Sequence, residues 1–322
     1  MMKRLLPYVF VLLLAFQVYA QQRPQYQHYI QNGMLINPAV TGIEGELSAR
    51  VGYRQQWTGI EGAPRTMYAT VQTSLDGLLG KRQKPVLPLS LQQNTGGRHG
   101  IGLSVFSDRI GPFQQNEVMA KYAYHLPISS NQRLSAGLGL GVFNQSLNTE
   151  MLEFANAGDP VTGNYIDPQN SPAVTLGLWY SGNRHFAGVS YYQLFQNNVL
   201  DNVERLPYRH LLLSAGYKLV STDALDLGAS TLFKRLENLN WTVDLNLTAG
   251  FYKRVWLGIS WRSSNEAIAF TRLAINEQID IAYSFAMGYG NTISAFSQGN
   301  HEVSVGFRLP RMQGLFCPNY FW

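Results

Sequence analysis

From position 239 to position 251 the chain reads Leu-Asn-Trp-Thr-Val-Asp-Leu-Asn-Leu-Thr-Ala-Gly-Phe, apolar at every odd position and polar or glycine at every even one. A strand built on that pattern carries one oily face and one hydrophilic face. The same alternation recurs through most of the chain. It predicts strands near 46–57, 64–75, 99–107, 115–127, 132–144, 171–181, 184–195, 208–220, 223–234, 239–251, 254–263, 266–275, 278–288 and 300–309. Most reach the roughly 9–11 residues that a tilted strand needs to cross a bilayer. In the first, Leu47, Ala49, Val51 and Tyr53 share a face opposite Ser48, Arg50, Gly52 and Arg54. In the fifth, Leu134, Ala136, Leu138, Leu140 and Val142 oppose Ser135, Gly137, Gly139 and Gly141. Glycine weakens a strand, so three on one face point to an interior where small residues leave room for a filling segment or a passage.

The connections carry a second regularity. Residues 128–131, 182–183, 221–222, 252–253 and 276–277 are short turns at every second junction, whereas 145–170 and 196–207 are long. Short periplasmic turns alternating with longer external loops are the asymmetry of a bacterial outer-membrane barrel. The expected fold is therefore all-β, a transmembrane antiparallel β-barrel of about 14 strands with both termini periplasmic. Residues 76–98 break the rule, being long on the short-turn side. A soluble β-sandwich would alternate too, but its outward positions would carry many Lys and Glu. Here only 14% of residues are charged while 12% are aromatic. That is well below the charge of ordinary soluble domains and suits a lipid-facing wall with aromatic girdles.

Residues 1–20 read as a secretory signal peptide: Lys3 and Arg4, an apolar run, then Val18-Tyr19-Ala20 as a small-x-small cleavage site. The run is too short to span a bilayer. The remaining division is an N-terminal periplasmic or lumenal segment 21–45, the barrel 46–309 and a C-terminal periplasmic tail 310–322. One cysteine, Cys317, rules out an intrachain disulfide and any cysteine-cluster metal site. The net charge of +5 comes from scattered Lys and Arg without a basic stripe, so nucleic acid is not an expected partner. The six histidines lack metal-ligand spacing, and no nucleophile-base constellation stands out. Neither enzyme activity nor a cofactor is expected.

Three stretches carry a resemblance. The first is Gln27-His28-Tyr29-Ile30 followed by Leu35-Ile36-Asn37-Pro38-Ala39-Val40-Thr41-Gly42. The second is Tyr53-Arg54-Gln55-Gln56-Trp57 with Gly62-Ala63-Pro64-Arg65-Thr66, and the third Gly299-Asn300-His301-Glu302-Val303. In order and spacing they resemble the PorP/SprF family of the type IX secretion system of Bacteroidota. Ser107-Asp108-Arg109-Ile110-Gly111-Pro112 and Tyr122-Ala123-Tyr124 between them are similar to a hairpin and following strand of that family. The resemblance implies an outer-membrane, non-catalytic protein that assists secretion or surface attachment of exported proteins such as adhesins, in some members with gliding motility. Its implied partners are outer-membrane lipid, the exported surface protein and periplasmic secretion components. Where many relatives place an acid after a Tyr-Ser-Tyr strand, this chain reads Tyr283-Ser284-Phe285-Ala286, so no role of that acid carries over.

The same residues have readings of their own. Asn37-Pro38 favours a turn, and Gly42 and Gly45 bracket entry into the first strand. Segment 21–45 then enters the lumen, caps the periplasmic mouth or stays a flexible leader. Trp57, at a strand end, reads as an interfacial anchor, with ligand stacking as the other option. His301 and Glu302 are adjacent, so they face opposite ways. A Glu302 turned inward calls for a lumen arginine, Arg50 or Arg54, on the adjoining first strand. The aromatic tail ending in Trp322, with Cys317 and Pro318, serves either as an assembly signal or as a dock for a periplasmic partner. A passive porin or hydrophobic-solute channel is the competing function on the same fold.

Overall fold

The computed structural model describes Gln27, Tyr29 and residues 31–75, 99–129, 131–148, 169–194, 209–236, 241–290 and 292–309. The signal peptide, the 76–98 connection, the 310–322 tail, Cys317 and Trp322 lie outside the described residues.

The alternating segments form fourteen strands. β1 (Leu47–Gln55), β2 (Arg65–Ser74), β3 (His99–Ile110), β4 (Phe113–Ser129) and β5 (Gln132–Leu147) come first. β6 (Gln169–Ser181), β7 (His185–Tyr192), β8 (His210–Ser221), β9 (Leu225–Leu236) and β10 (Thr242–Phe251) follow. β11 (Val255–Arg262), β12 (Glu266–Ala274), β13 (Ile279–Gly288) and β14 (Asn300–Leu309) complete the wall. Each strand pairs antiparallel with its sequence neighbours, and β1 pairs with β14, so the sheet closes and leaves no edge. Closure satisfies every strand's backbone within the wall, which lipid requires because it offers no hydrogen bonds.

Burial follows the alternation. Val51, Met67, Leu140, Ile259 and Val305 stand exposed on the outer face. Arg50, Arg54, Thr66, Thr70, Lys121, His125, Asp244, Arg262, Glu302 and Ser304 are buried on the inner one. A polar interior inside an apolar exterior is the inverse of a soluble core, and it identifies lipid as the outer solvent. Among the described residues no helix is long and apolar enough to cross a membrane; the strands do the crossing.

β1 begins and β14 ends at the same end of the barrel, here the near end. Among the described residues the near-end turns are tight. At β10–β11, Tyr252 and Lys253 take φ of +48° and +55°, the left-handed pair of a type I′ hairpin that matches strand twist. At the far end β3 and β4 join through Gly111 and Pro112 alone, and both strands extend further than their alternation predicts. A five-residue helix, Thr292–Phe296, sits in the β13–β14 connection.

Candidate functional site

The lumen is filled by the chain's own N-terminal segment. Two 3₁₀ turns, Gly33–Leu35 and Pro38–Val40, sit within the wall. Asn37 is extended, as the residue before a proline must be, and its Oδ1 accepts the Ala39 N–H, capping the second turn. The segment has no periodic face because it is enclosed on every side: Met34, Leu35, Ala39, Val40 and Thr41 are all buried.

Wall side chains hold this segment by its backbone. Lys121 Nζ donates to Met34 O (2.6 Å), Tyr192 Oη to Leu35 O (2.8 Å), and Arg133 Nη1 to Ile43 O (3.1 Å). Ser190 Oγ donates to Ile36 O, and Ser74 Oγ to Gly45 O. His125 Nε2 lies 2.9 Å from Thr41 O. A carbonyl only accepts, so that nitrogen carries the proton and Nδ1 accepts from Ser135 Oγ. Asn37 Nδ2 donates to both Leu178 O and Val189 O. Asn246 Nδ2 donates to Tyr29 Oη; burial, then the nearby Asp244, pushes that phenol up and keeps it neutral.

The inward glycines make the room. A Cβ on Gly137 would collide with the Pro38–Ala39 backbone, one on Gly100 with Thr41 O, and one on Gly177 with Asn37 Oδ1. Gly42 has φ +67° and packs on Thr73 O and the Gly100 Cα. The plug crosses nearly the whole lumen: Gly45 lies by the near end, and Gln27 N donates to Glu302 Oε2 (2.7 Å), two residues into β14 from the far end. Lys121→Met or Arg133→Met is expected to loosen it, since each removes a charged donor worth about 1.5–3 kcal/mol. Faster amide exchange over residues 31–45, with unchanged exchange in β10–β12, is the readout.

Above Gln27, at the far mouth, lies a cavity of about 550 Å³ lined by Arg54, Trp57, Pro64, Asp108, Glu266, Phe285 and Asn300, among others. Arg54, Trp57 and Pro64 come from the predicted set, and Glu302 stands across the ladder from Arg54. Gln56 N donates to Pro64 O (2.9 Å), which closes the mouth of the β1–β2 hairpin. Glu302 is fully buried; its Oε1 accepts from Tyr68 Oη (2.9 Å) and its Oε2 from Gln27 N. Beside the cavity Arg262 makes a two-pronged pair with Asp244 and reaches Glu266 at 2.6 Å, and Lys234 also holds Asp244.

One expectation is narrowed and another corrected. Arg50 does not serve Glu302: it pairs with Asp280 at 2.6 Å and donates to Ser304. Gly306 is the reason, because it stands between Arg50 and Asp280 in the ladder and has no side chain to block the reach across β14. Trp57 is not an anchor on the outer wall. The strand ends at Gln55, Trp57 takes φ +45°, its N–H donates to Asn300 Oδ1, and the residue lines the cavity. His301 faces out, with Nδ1 2.8 Å from Tyr283 Oη and its ring against Phe285. Asp108, Glu266, Lys121, His125 and Arg133 were missed by sequence reasoning. Their signal was an inward polar position within an alternating strand, which many other residues share.

The sequence profile described as type IX secretion system membrane protein PorP/SprF matches residues 18–307. The chain belongs to the PorP/SprF family. That match spans the plug, all three motif stretches and nearly the whole wall, and with the closed barrel it makes this PorP/SprF protein an outer-membrane component of type IX secretion. No curated protein matches the chain. Among solved structures, Acinetobacter baumannii outer membrane protein Omp33 is similar at 11% identity and TM-score 0.46, over 83% of this chain and 100% of that one. A triple mutant of the Rhodopseudomonas blastica porin is similar at 10% identity and TM-score 0.34, over 82% and 99%.

Proposed function

We propose that this PorP/SprF protein is a non-catalytic docking component, which assists the secretion or surface attachment of exported proteins such as adhesins, including those used for gliding in hosts that glide. The observation that carries this reading is the lumen occupied by Gln27, Tyr29 and residues 31–45, held backbone-first by the wall. A barrel sealed by its own chain works by what binds its ends rather than by what passes through. In this reading the near end, with its tight turns, 76–98 and 310–322, faces the periplasmic secretion components. The far end, with its cavity, faces outward to the exported protein. The plug weighs against the passive porin.

Purified protein in planar bilayers is expected to show no steady conductance. A strain lacking the chain is expected to lose particular exported proteins from its surface while its other outer-membrane proteins stay at normal abundance. A steady open pore together with an unchanged surface proteome would replace this reading with the porin.

A further inference from the structure

The far-end cavity continues the track along which the wall already grips polypeptide. From Ile43 to Gln27 the grip includes the main chain as well as side chains such as Asn32 and Tyr29: Arg133 and Lys121 present cationic donors to Ile43 O and Met34 O, and Glu302 accepts the Gln27 N–H. The next polar group on that track is Arg54, paired across the ladder with Glu302 and lining the cavity. Arg54 is 1% exposed, yet its Nε and Nη1 have no hydrogen-bond partner among the described residues. A guanidinium can only donate, and a buried charged donor left unsatisfied is costly. Arg54 therefore calls for acceptors from outside.

The surrounding charge selects the kind of acceptor. Glu302, Glu266 and Asp108 already act on Arg54. Asp108 and Glu266 line the cavity, and the nearby Arg262 is already held by Asp244 and Glu266. A free carboxylate or phosphate would meet Asp108 and Glu266, whereas a neutral amide carbonyl is not repelled by them. Asp108 Oδ1 accepts from Thr66 Oγ1, which leaves Oδ2 to accept an N–H or an ammonium. Trp57 and Ile110 add apolar surface. The volume lies in the range of pockets that enclose a small ligand.

We infer that this cavity binds a short extended polypeptide segment, its main-chain carbonyls on Arg54, an amide or lysine N–H on Asp108, and an apolar side chain against Trp57. This rests on the proposed function and names the feature by which an exported partner is recognised.

The test uses the full mature chain in detergent and the capped tripeptide acetyl-Leu-Lys-Leu-amide, titrated by calorimetry. One-to-one binding is expected, weakened by about tenfold or more in Arg54→Gln and also in Gln298→Trp. The second variant narrows the cavity from an exposed lining position and removes no buried contact. Should Arg54→Gln lose its heat-modifiable gel mobility, Gln298→Trp decides alone. Four results overturn the inference: no binding to the wild type, equal binding to Gln298→Trp, binding of maltotriose in place of the peptide, or binding only after residues 21–26 are deleted, which would make the chain's own segment the occupant. In cells, normal surface export with Gln298→Trp but not in the deletion strain overturns the inference and leaves the proposed function standing. Normal export in the deletion strain overturns the function itself.

Discussion

A chain carrying both Gly100→Val and Gly137→Val is expected to form a closed wall with an emptied lumen, and to conduct in planar bilayers where the wild type does not. The two glycines stand on β3 and β5, and the atoms a side chain would strike are plug backbone: Thr41 O from Gly100, and the Pro38–Ala39 peptide from Gly137. Backbone cannot rotate away as a flexible side chain can. Overpacking at each site costs about 1–3 kcal/mol, a scale comparable with each bond that retains the plug, about 0.5–1.5 kcal/mol for the neutral ones and about 1.5–3 kcal/mol for Lys121 and Arg133. The wall loses less, because the β2–β3–β4 and β4–β5–β6 ladders run through the backbone of these residues, which keeps its register. Heat-modifiable gel mobility reports wall closure. Chymotrypsin cleavage after Tyr29 or Leu35, both buried in the wild type, reports plug release. A double variant that stays both closed and protease-resistant would show that these strands do not hold the plug.

Most of the wall was legible in the sequence because lipid imposes a rule with period two, and almost nothing else reads that way. β14 begins and ends where the alternation does, and β10 runs from Thr242 to the predicted end at Phe251, with 239–240 outside the described residues. The misses sit at the far mouth. β3 and β4 run on to Ile110 and back from Phe113, with Asp108, Gln114 and Asn116 at positions where two-sided polarity hides the pleat. β7 stops at Tyr192 rather than at Phe195, because Gln193 takes φ +61° and leaves the ladder. The plug was harder to read for the opposite reason. A segment enclosed on all sides has no solvent-facing stripe, so Met34-Leu35-Ile36 shows no period. Its trace lay in the partner instead, as glycines spaced along the inner faces of β3, β5 and β6. The Arg50–Asp280 pair depends on reach across an intervening strand, and only the register and Gly306 together reveal it.

Glu302→Ala is expected to be the most destabilising single substitution, lowering the temperature at which the folded gel band disappears by an amount equivalent to about 3–5 kcal/mol. Three separate groups depend on that carboxylate: the Gln27 N–H at 2.7 Å, the Tyr68 O–H at 2.9 Å and the Arg54 charge across the ladder. Alanine orphans both donors and leaves a fully buried guanidinium without the carboxylate across the ladder. Glu302→Gln separates these effects, since an amide oxygen still accepts one hydrogen bond but supplies no charge. Its shift is expected to fall between wild type and alanine. Adding Arg54→Met to Glu302→Gln removes the unpaired cation, and replacing a buried ion pair by neutral groups of similar volume is often nearly free. The double variant is therefore expected to recover most of the lost stability while its peptide affinity stays low. If the two substitutions instead destabilise additively, the pair is not coupled, and Glu302 acts through the plug and Tyr68 alone. Such additivity would tie closure of the β1–β14 seam to occupancy of the lumen, because the carboxylate that anchors Gln27 belongs to the strand that completes the barrel.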